Sequence, residues 1–369
     1  MPALPSTRFR SSPHVALKRL GDLEPDQRDA FRDLESDPEF YGLFVAKPPL
    51  RMNVKSVTRP VAELFASLAT PSRLDAPLDA SNDEIVDLVL DGILEIESGE
   101  DFVCGADALA IVAPPPADIE PRDATARLSR DALLHAQDLV TDDAQALAMA
   151  LYFYNHIPLS PFWRTRFATP EAVLAHLGDD AARLDRDWIA SHNAPGWLAW
   201  ISREHVARAR SDATWKLYVS PRPEHVRDAF TIVARTLGAF PGTSFKIAND
   251  AAGMLRPDKL VAYFASREDL DDAAAILARE LAGCNAQGVP FTAALDESGL
   301  LSWGVDPPDD AQALRWLYRT SWRLWLVQRL GAAMSIAKMA RSATAVEPWL
   351  FAIARTQRHG VNVETWSLP

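Results

Sequence analysis

Positively charged side chains recur inside three short runs that otherwise have the composition of buried β-strands. The runs are residues 215–219, 244–248 and 256–264. Burying an unpaired ammonium or guanidinium group in an apolar core is costly. A fold that contains these strands must therefore place the cations on a solvated sheet face or give them a shared anionic partner.

The strand period decides which of these side chains share a face. Successive side chains of a strand point to opposite faces of a sheet, so residues two or four positions apart lie on the same side. Lys216 is therefore predicted to share a face with Tyr218, and Lys259 with Tyr263. Lysines that protect edge strands against aggregation are an alternative explanation for Lys216 and Lys246.

The composition is that of an ordinary soluble globular protein. The chain has 369 residues, of which 48% are hydrophobic and 24% charged, and this length suggests two or three domains. No run approaches the roughly 20 apolar residues that span a bilayer, and the N-terminus lacks the apolar stretch of a secretory signal. Cys104 and Cys284 are too few for a disulfide framework. We expect a cytoplasmic protein with no membrane partner.

Charge is unevenly distributed along the chain, whose net charge is −12. Residues 61–122 carry 2 basic and 14 acidic side chains, whereas residues 311–369 carry 8 basic and 2 acidic ones. The acidic segments argue against nucleic acid as a partner, because Lys and Arg contacts to phosphate supply most of that affinity. The basic C-terminal segment is expected either to dock on acidic parts of its own chain or to steer an anionic substrate.

The pattern of turns and apolar runs predicts an α+β fold in four parts. Residues 1–112 are predicted to form an N-terminal module, mostly helical up to residue 50 and winged-helix-like after it, where two apolar runs flank a polar turn. A Pro-rich linker over 113–122 separates this module from a helical segment at 123–210. Residues 211–369 then form a mixed β-sheet domain closed by C-terminal helices.

Five strands and a long terminal helix are predicted within this last domain. The final two strands are residues 288–292 and 300–303, and the helix begins at Asp309 or Asp310. Arginines recur every four residues along that helix, at Arg315, Arg319 and Arg323. Such a stripe is most often a solvated face, and a phosphate-binding face is the alternative.

An aromatic and basic loop follows the first long helix of the helical segment. It carries His156, Arg164 and Arg166 between prolines that disfavour helix at the preceding residues. Either this loop is a structural element anchored by Phe162 and Trp163, or its basic side chains face a substrate.

Familiar catalytic motifs are absent from the sequence. The chain has no Gly-rich phosphate loop, no His-Glu-x-x-His zinc pair and no Gly-x-Ser-x-Gly elbow. Its eight histidines form no ligand cluster, and neither cysteine has a histidine nearby in sequence. We therefore expect neither a metal nor thiol catalysis. The remaining chemical signal is the set of Lys, Arg and Tyr residues on strands.

Several of these segments resemble the HopA-type effector family, named after a type III secreted effector of plant pathogens. The resemblance is carried by residues 215–219, 245–247, 256–264 and 288–292, with further support from 321–323. It covers residues 211–310 and does not extend to the N-terminal part. Bacterial relatives of that family resemble the stand-alone lyase components of class V lanthipeptide and thioamidated-peptide pathways.

The resemblance implies β-elimination of phosphate from phosphoserine or phosphothreonine in a ribosomal precursor peptide, which gives dehydroalanine or dehydrobutyrine. A separate peptide kinase would phosphorylate the peptide first, and no metal or organic cofactor would be required. Elimination needs a base for the α-proton, donors that hold the phosphate and an acid for the leaving group. A lysine serves as the base where neighbouring cations and burial lower its pKa from ~10.4.

The chemistry of the reaction, and no transferred family annotation, suggests which residues fill these roles. Lys216 or Lys246 is the predicted base. Tyr218, Tyr263 or His156 is predicted to protonate the leaving group or to orient the base.

Phosphate binding is assigned to three further cations, Arg256, Lys259 and Arg222. Arginine suits this role because its guanidinium group binds phosphate through two parallel hydrogen bonds. Asp258 is expected to orient a neighbouring cation. A turn with a local Arg–Asp pair before a core strand is the structural alternative for residues 256–259.

Two non-catalytic functions stay open. The chain is alternatively a peptide- or protein-binding module, or a secreted effector-like protein, that uses its winged-helix-like part and its cationic sheet. It is also compatible with a leader-peptide carrier that partners an enzyme.

Overall fold

The computed structural model describes residues 7–74, 82–113, 120–178, 184–191, 195–203, 215–307, 321–342 and 345–368. Most of the predicted linker, at 114–119, lies outside these ranges, as do the predicted helix start at Asp309 or Asp310 and the side chains of Arg315 and Arg319. The described residues form helices and antiparallel sheets, so the predicted α+β class is confirmed. None of their helices is both long and apolar enough to cross a membrane.

The strands are β1 (Arg8–Ser11), β2 (Val15–Lys18), β3 (Gly42–Ala46), β4 (Lys55–Val57), β5 (Ser72–Arg73), β6 (Leu94–Ser98), β7 (Asp101–Val103), β8 (Trp188–Ser191), β9 (Trp197–Ser202), β10 (Trp215–Val219), β11 (Ser244–Ala248), β12 (Leu260–Phe264), β13 (Ala293–Ala294) and β14 (Leu301–Val305).

The α-helices are α1 (Pro25–Ala30), α2 (Arg59–Ser67), α3 (Asn82–Leu90), α4 (Leu109–Val112), α5 (Ala124–Asp138), α6 (Ala144–Tyr152), α7 (Pro161–Arg166), α8 (Pro170–Leu177), α9 (Val226–Leu237), α10 (Ala251–Met254), α11 (Arg267–Glu280), α12 (Trp322–Ala337) and α13 (Pro348–Arg358).

The largest sheet has seven strands in the order β13–β14–β10–β12–β11–β9–β8. All of its described pairs are antiparallel, so the prediction of a mixed sheet with five strands is wrong. Strands β8 and β9 come from the segment that was predicted to be helical, because short apolar runs rich in tryptophan do not distinguish a buried helix from a strand. Residues 288–292 are a loop that leads into β13.

The two faces of this sheet differ in chemistry. One face packs apolar side chains such as Leu217, Phe245 and Ala262 into a core with α9 and α11. On the other face Lys216 lies opposite Tyr263, and Lys246 lies opposite Val261. The strand period therefore predicted correctly that Lys216 and the phenolic side chains share a face. This face is not solvated as a whole, because Lys216 and Tyr218 are buried.

The N-terminal module contains more strands than its sequence predicts. Residues 1–50, predicted to be mostly helical, include β1, β2 and β3. These strands have four or five residues each, which is too short for alternation to be distinguished from a helical pattern. The predicted hairpin is confirmed: β6 and β7 pair across a turn in which Gly99 has a φ of 65°, a conformation that glycine adopts without steric cost.

The C-terminal helices pack against the N-terminal module in one hydrophobic core, while a second core lies beneath the seven-stranded sheet. Helix α12 approaches α6 closely at Gly331. A Cβ atom added there would lie 2.6 Å from the carbonyl oxygen of Ala144 and 2.7 Å from the nitrogen of Ala148. The absence of a side chain at Gly331 therefore sets the distance between these two helices.

Ion pairs join the basic C-terminal segment to the acidic N-terminal one. Arg355, only 4% exposed, donates to Asp87 at 2.5 Å and to Asp91 at 2.6 Å. Arg358 donates to Asp87 at 2.8 Å, and Lys55 pairs with Asp91 at 2.8 Å. The expectation that the basic segment docks on its own chain is confirmed by these contacts.

Replacing Arg355 with alanine is expected to lower the free energy of unfolding by about 1–3 kcal/mol, the usual cost of leaving a buried polar group unsatisfied. The cost is limited because Asp87 keeps Arg358 and Asp91 keeps Lys55. Urea denaturation measures the change. Arg59→Ala is the control, because its pair with Glu63 is exposed to solvent, where an ion pair contributes little to stability. Equal effects of the two substitutions would contradict the docking interpretation.

Candidate functional site

Two lysines, one from each of the strands that flank β12, lie on either side of Tyr263. The Nζ atom of Lys216 is 5.8 Å from the centre of the Tyr263 ring, and that of Lys246 is 5.5 Å from the same centre. Lys246 also lies over Trp197, with its Nζ atom 4.3 Å from the ring centre. The antiparallel register of β10, β12 and β11 thus brings both predicted bases to one aromatic patch.

The two lysines differ in their partners. Lys216 is buried and forms an ion pair with Asp306, which lies just beyond the end of β14. Among the residues that the structure describes, no carboxylate lies within ion-pair distance of Lys246. Burial, and then the positive charge of Lys216, lower the pKa of Lys246 to about 8. A fraction of Lys246 is therefore neutral near pH 7 to 8, so its amine can accept a proton.

Asp258 connects two arginines beside the lysines. It accepts two hydrogen bonds of 2.8 Å from Nε and Nη2 of Arg256, and one of 2.7 Å from Arg323. Burial by itself would raise the pKa of Asp258, but Arg323 and Arg256 outweigh it and lower the pKa to about 2. The local pair of Arg256 and Asp258, which was the structural alternative for residues 256–259, is present and belongs to a larger network that includes Arg323.

Tyr152, at the end of α6, lies between the two guanidinium groups. Its hydroxyl group accepts a 2.8 Å hydrogen bond from Nη2 of Arg256, and its carbonyl oxygen accepts a 3.0 Å hydrogen bond from Arg323. Its ring centre is 5.1 Å from Cζ of Arg256 and 4.8 Å from Cζ of Arg323. Because Asp258 and Tyr152 use Nε and Nη2 of Arg256, the Nη1 edge of that guanidinium group has no partner among the described residues.

The charges at this site do not cancel. Lys216, Lys246, Arg256 and Arg323 supply four positive charges, and Asp258 and Asp306 supply two negative ones. With every group ionised the sum is +2. A phosphate monoester carries about −1.5 to −2 at pH 7, so one such group would neutralise the site.

The two predicted tyrosines occupy different depths. Tyr218 is 3% exposed and packs against Val261 and Val289. Tyr263 is half-buried between the two lysines. Burial raises the pKa of both phenols, so both keep their protons at neutral pH.

Three predicted site residues make no described hydrogen bond or ion pair with the groups above. Lys259 is fully buried, and its ammonium group donates to the carbonyl oxygen of Pro221 at 2.8 Å and to Oε1 of Gln287 at 2.6 Å. Arg222 is exposed beyond the end of β10, and no described contact joins its side chain to the other cations. Nε2 of His156 lies 2.9 Å from the carbonyl oxygen of Ala252.

Sequence analysis missed several members of the site. Tyr152, Trp197 and Asp306 were not singled out, and Arg323 was predicted to lie on a solvated helix face. Arg323 is in fact 1% exposed, because it enters the interior to reach Asp258. A tyrosine at a helix end or an aspartate after a strand carries no sequence signal of its own. No group of three or more His, Cys, Asp or Glu side chains that would suit a metal ion occurs in the described ranges.

Comparisons with known proteins identify neighbours among solved structures only. No family model matches the chain, and neither does any curated protein. An effector protein from Pseudomonas syringae pv. tomato strain DC3000 is 14% identical, with a TM-score of 0.39, over 67% of this chain and 97% of that one.

Two further structures are similar at the same level. An effector protein from Pseudomonas syringae pv. syringae strain 61 is 11% identical, with a TM-score of 0.36, over 66% of this chain and 98% of that one. The phosphothreonine lyase effector VirA (SpvC) from Chromobacterium violaceum is 13% identical, with a TM-score of 0.28, over 44% of this chain and 99% of that one. Identities and TM-scores in this range carry no argument about activity.

Proposed function

We propose that this protein is a lyase that eliminates phosphate from phosphoserine or phosphothreonine in a peptide. The observation that carries the proposal is the excess of positive charge at the site, which is +2 with every group ionised and +1 once Lys246 is neutral; Lys246, with a pKa of about 8, lies beside the paired cations Lys216 and Arg256. Such a face is suited to hold a dianionic phosphate monoester while a neutral amine acts on the adjacent carbon.

The reaction needs no redox partner. A base takes the α-proton of the phosphorylated residue, and the electron pair of that C–H bond becomes the Cα=Cβ double bond. The Cβ–O bond breaks, its electron pair leaves with the phosphate, and an acid protonates the departing oxygen. The products are a dehydroamino acid in the peptide and inorganic phosphate.

Lys246 is the proposed base because it lacks a carboxylate partner among the described residues and its pKa is lowered to about 8. A base works best when its pKa is near the working pH. Lys216 is held by Asp306 and is the proposed phosphate donor, together with the Nη1 edge of Arg256. The interactions of both donors with the phosphate would strengthen as negative charge develops on the leaving group.

Tyr263 is the proposed acid. Its ring lies within 6 Å of both ammonium groups, at 5.8 and 5.5 Å, and burial raises the pKa of its phenol, so that it keeps a proton to give. Tyr218 is more deeply buried, and His156 is engaged at Ala252. Lys259 has two buried acceptors, and we do not assign phosphate to it or to Arg222.

The proposed substrate is a ribosomal precursor peptide phosphorylated by a separate peptide kinase, as the sequence resemblance implies. Neither a metal nor an organic cofactor is needed for the steps described above. We place the reaction in the cytoplasm, where such a peptide would be made.

A non-catalytic peptide-binding function is the second candidate, and a groove in another part of the molecule favours it. The groove has a volume of about 1140 Å³ and lies between the N-terminal module and the end of α12, with Phe102, Leu50 and Met339 in its lining. One of its walls is β7, which is an edge strand. A protein that only binds peptides would leave the phosphate ester intact.

Incubation of the purified protein with a synthetic phosphothreonine peptide tests the proposal. We expect the peptide to lose the mass of phosphoric acid and the new double bond to add a thiol. The Lys216→Ala variant is expected to lower kcat/KM by about 10- to 100-fold, because a hydrogen bond to a charged group contributes about 1.5–3 kcal/mol. Lys47→Ala is the control, since Lys47 is exposed in another part of the fold. Release of phosphate with formation of threonine would indicate hydrolysis and contradict elimination.

A further inference from the structure

Aromatic rings border the proposed phosphate site on the side of Arg256. The ring centres of Phe153 and Trp197 are each 5.9 Å from Cζ of Arg256, and that of Tyr152 is 5.1 Å away. Phe153 is 47% exposed although it is a large apolar side chain. Phe153 and Trp197 therefore form an apolar wall next to the guanidinium group, part of which faces solvent.

The wall is held in place by the turn that follows Phe153. Asn155 has a φ of 64°, and its Nδ2 atom donates to the carbonyl oxygens of Gln287 at 2.5 Å and Gly288 at 3.1 Å. In return, Nε2 of Gln287 donates to the carbonyl oxygen of Asn155 at 2.6 Å. The exposed ring of Phe153 is thus presented by a fixed backbone, which limits the entropy lost when a ligand contacts it.

We infer that Phe153 and Trp197 bind an apolar side chain adjacent to the phosphorylated residue, so that the substrate is a phosphopeptide with a hydrophobic neighbour and not a free phosphoamino acid. This inference rests on the proposed function and adds the sequence preference of the same site. An apolar side chain would cover the exposed part of the Phe153 ring. Removing this apolar surface from water is favourable.

Charge at the site argues against the other classes of neighbour. A basic neighbour would be repelled by Arg256, which lies near both rings, and by Lys246, which lies over Trp197. An acidic neighbour would compete with the phosphate for those cations, because only two units of positive charge are left uncompensated. A glycine neighbour would leave Phe153 exposed to water and would bury none of its apolar surface.

A panel of phosphothreonine peptides of one length tests the preference. The residues on the two sides of the phosphothreonine are changed one at a time to leucine, glycine, lysine or glutamate, and kcat and KM are measured for each peptide. We expect leucine on one side to give a kcat/KM about tenfold above glycine, mainly through KM, since small apolar contacts discriminate by about 10- to 200-fold. Lysine is expected to be the poorest neighbour.

Substitutions of Phe153 distinguish a loss of peptide recognition from a loss of the folded structure. Phe153→Ala is expected to bring the ratio of kcat/KM for the leucine peptide to that for the glycine peptide close to 1, and Phe153→Leu is expected to keep this ratio near its wild-type value. Phe162→Ala is the matched control, because Phe162 is a phenylalanine with 64% exposure and no described contact with the cations. Circular dichroism and urea denaturation check that each variant is folded.

The outcomes distinguish a failure of the proposed lyase function from a failure of the proposed apolar preference. If no phosphopeptide of the panel is converted, the proposed function itself is wrong. If peptides are converted but leucine and glycine peptides react equally, the lyase stands and the apolar preference is refuted. If Phe153→Ala slows both peptides to the same extent, the preference does not come from this wall. A preference that survives in Phe153→Ala and disappears in Phe162→Ala would also refute the assignment to this wall.

Discussion

Substitution of Lys246 by alanine is expected to lower kcat/KM for phosphate elimination by about 10²- to 10⁴-fold, the usual contribution of a positioned general base. Lys246 is the group of the site that combines a lowered pKa with a position beside Trp197 and Tyr263. Loss of its amine removes the proposed acceptor of the α-proton and leaves the phosphate-binding cations in place. Steady-state kinetics with a phosphothreonine peptide measures the change.

The pH dependence of the wild-type protein gives a second measure of the same role. A base must be neutral to accept a proton, and the pKa of Lys246 is about 8. We therefore expect kcat/KM to rise about tenfold per pH unit below pH 8 and to level off above it, since this profile reports the free enzyme. In Lys246→Arg the guanidinium group stays protonated, so activity should be low and this rise should be absent.

The outcome that would overturn the assignment is a Lys246→Ala variant with undiminished kcat/KM. If Lys216→Ala instead abolished both the activity and the rise with pH, Lys216 would be the base, as the sequence leaves open. Circular dichroism of each variant shows whether a loss of activity is caused by a loss of the folded structure.

Replacing Asp258 with asparagine is expected to lower the free energy of unfolding by about 3–5 kcal/mol, the usual cost of removing one partner from a buried ion pair. Asparagine preserves the shape of the side chain and removes its charge. Arg323, which is 1% exposed, would then be left in the interior without a carboxylate, and the single oxygen of asparagine could not accept all three hydrogen bonds that Asp258 accepts from Arg256 and Arg323. Urea denaturation at neutral pH measures the difference.

The effect of this substitution should depend on pH in a defined direction. The pKa of Asp258 is lowered to about 2 in the folded protein, compared with about 3.9 for an unperturbed aspartate. A lowered carboxyl pKa stabilises the fold fully above the unfolded-state value, and the stabilisation is lost as the pH falls toward the folded-state value. The difference between wild type and Asp258→Asn should therefore be constant above pH of about 5 and shrink between about 4 and 2.

An exposed pair serves as the control for Asp258. Asp271 pairs with Arg267 one turn apart on α11, and its side chain is 47% exposed. Asp271→Asn is expected to change the free energy of unfolding by less than about 1 kcal/mol. A similar small change in Asp258→Asn would mean that the two arginines find other partners and that the network is not a support of the site.

The sequence alone specified the local features of the site. Alternation along single strands was enough to place Lys216 with Tyr218 on one face, because the period of a strand is fixed by its backbone. The hairpin of β6 and β7 and the pair of Arg256 with Asp258 were likewise predictable, since each joins residues that are close along the chain. The resemblance of residues 211–310 added a proposed chemistry to these features.

Only the tertiary structure decided which of these side chains meet. Arg323 contacts Asp258, 65 positions away along the chain. Lys259, which was predicted to bind phosphate, donates a hydrogen bond to Gln287. Strands β8 and β9 extend the sheet beyond its predicted edge and bring Trp197 to Lys246. A strand's period determines the face on which a side chain lies, but register, helix docking and burial select its partners, and these depend on residues far away in sequence.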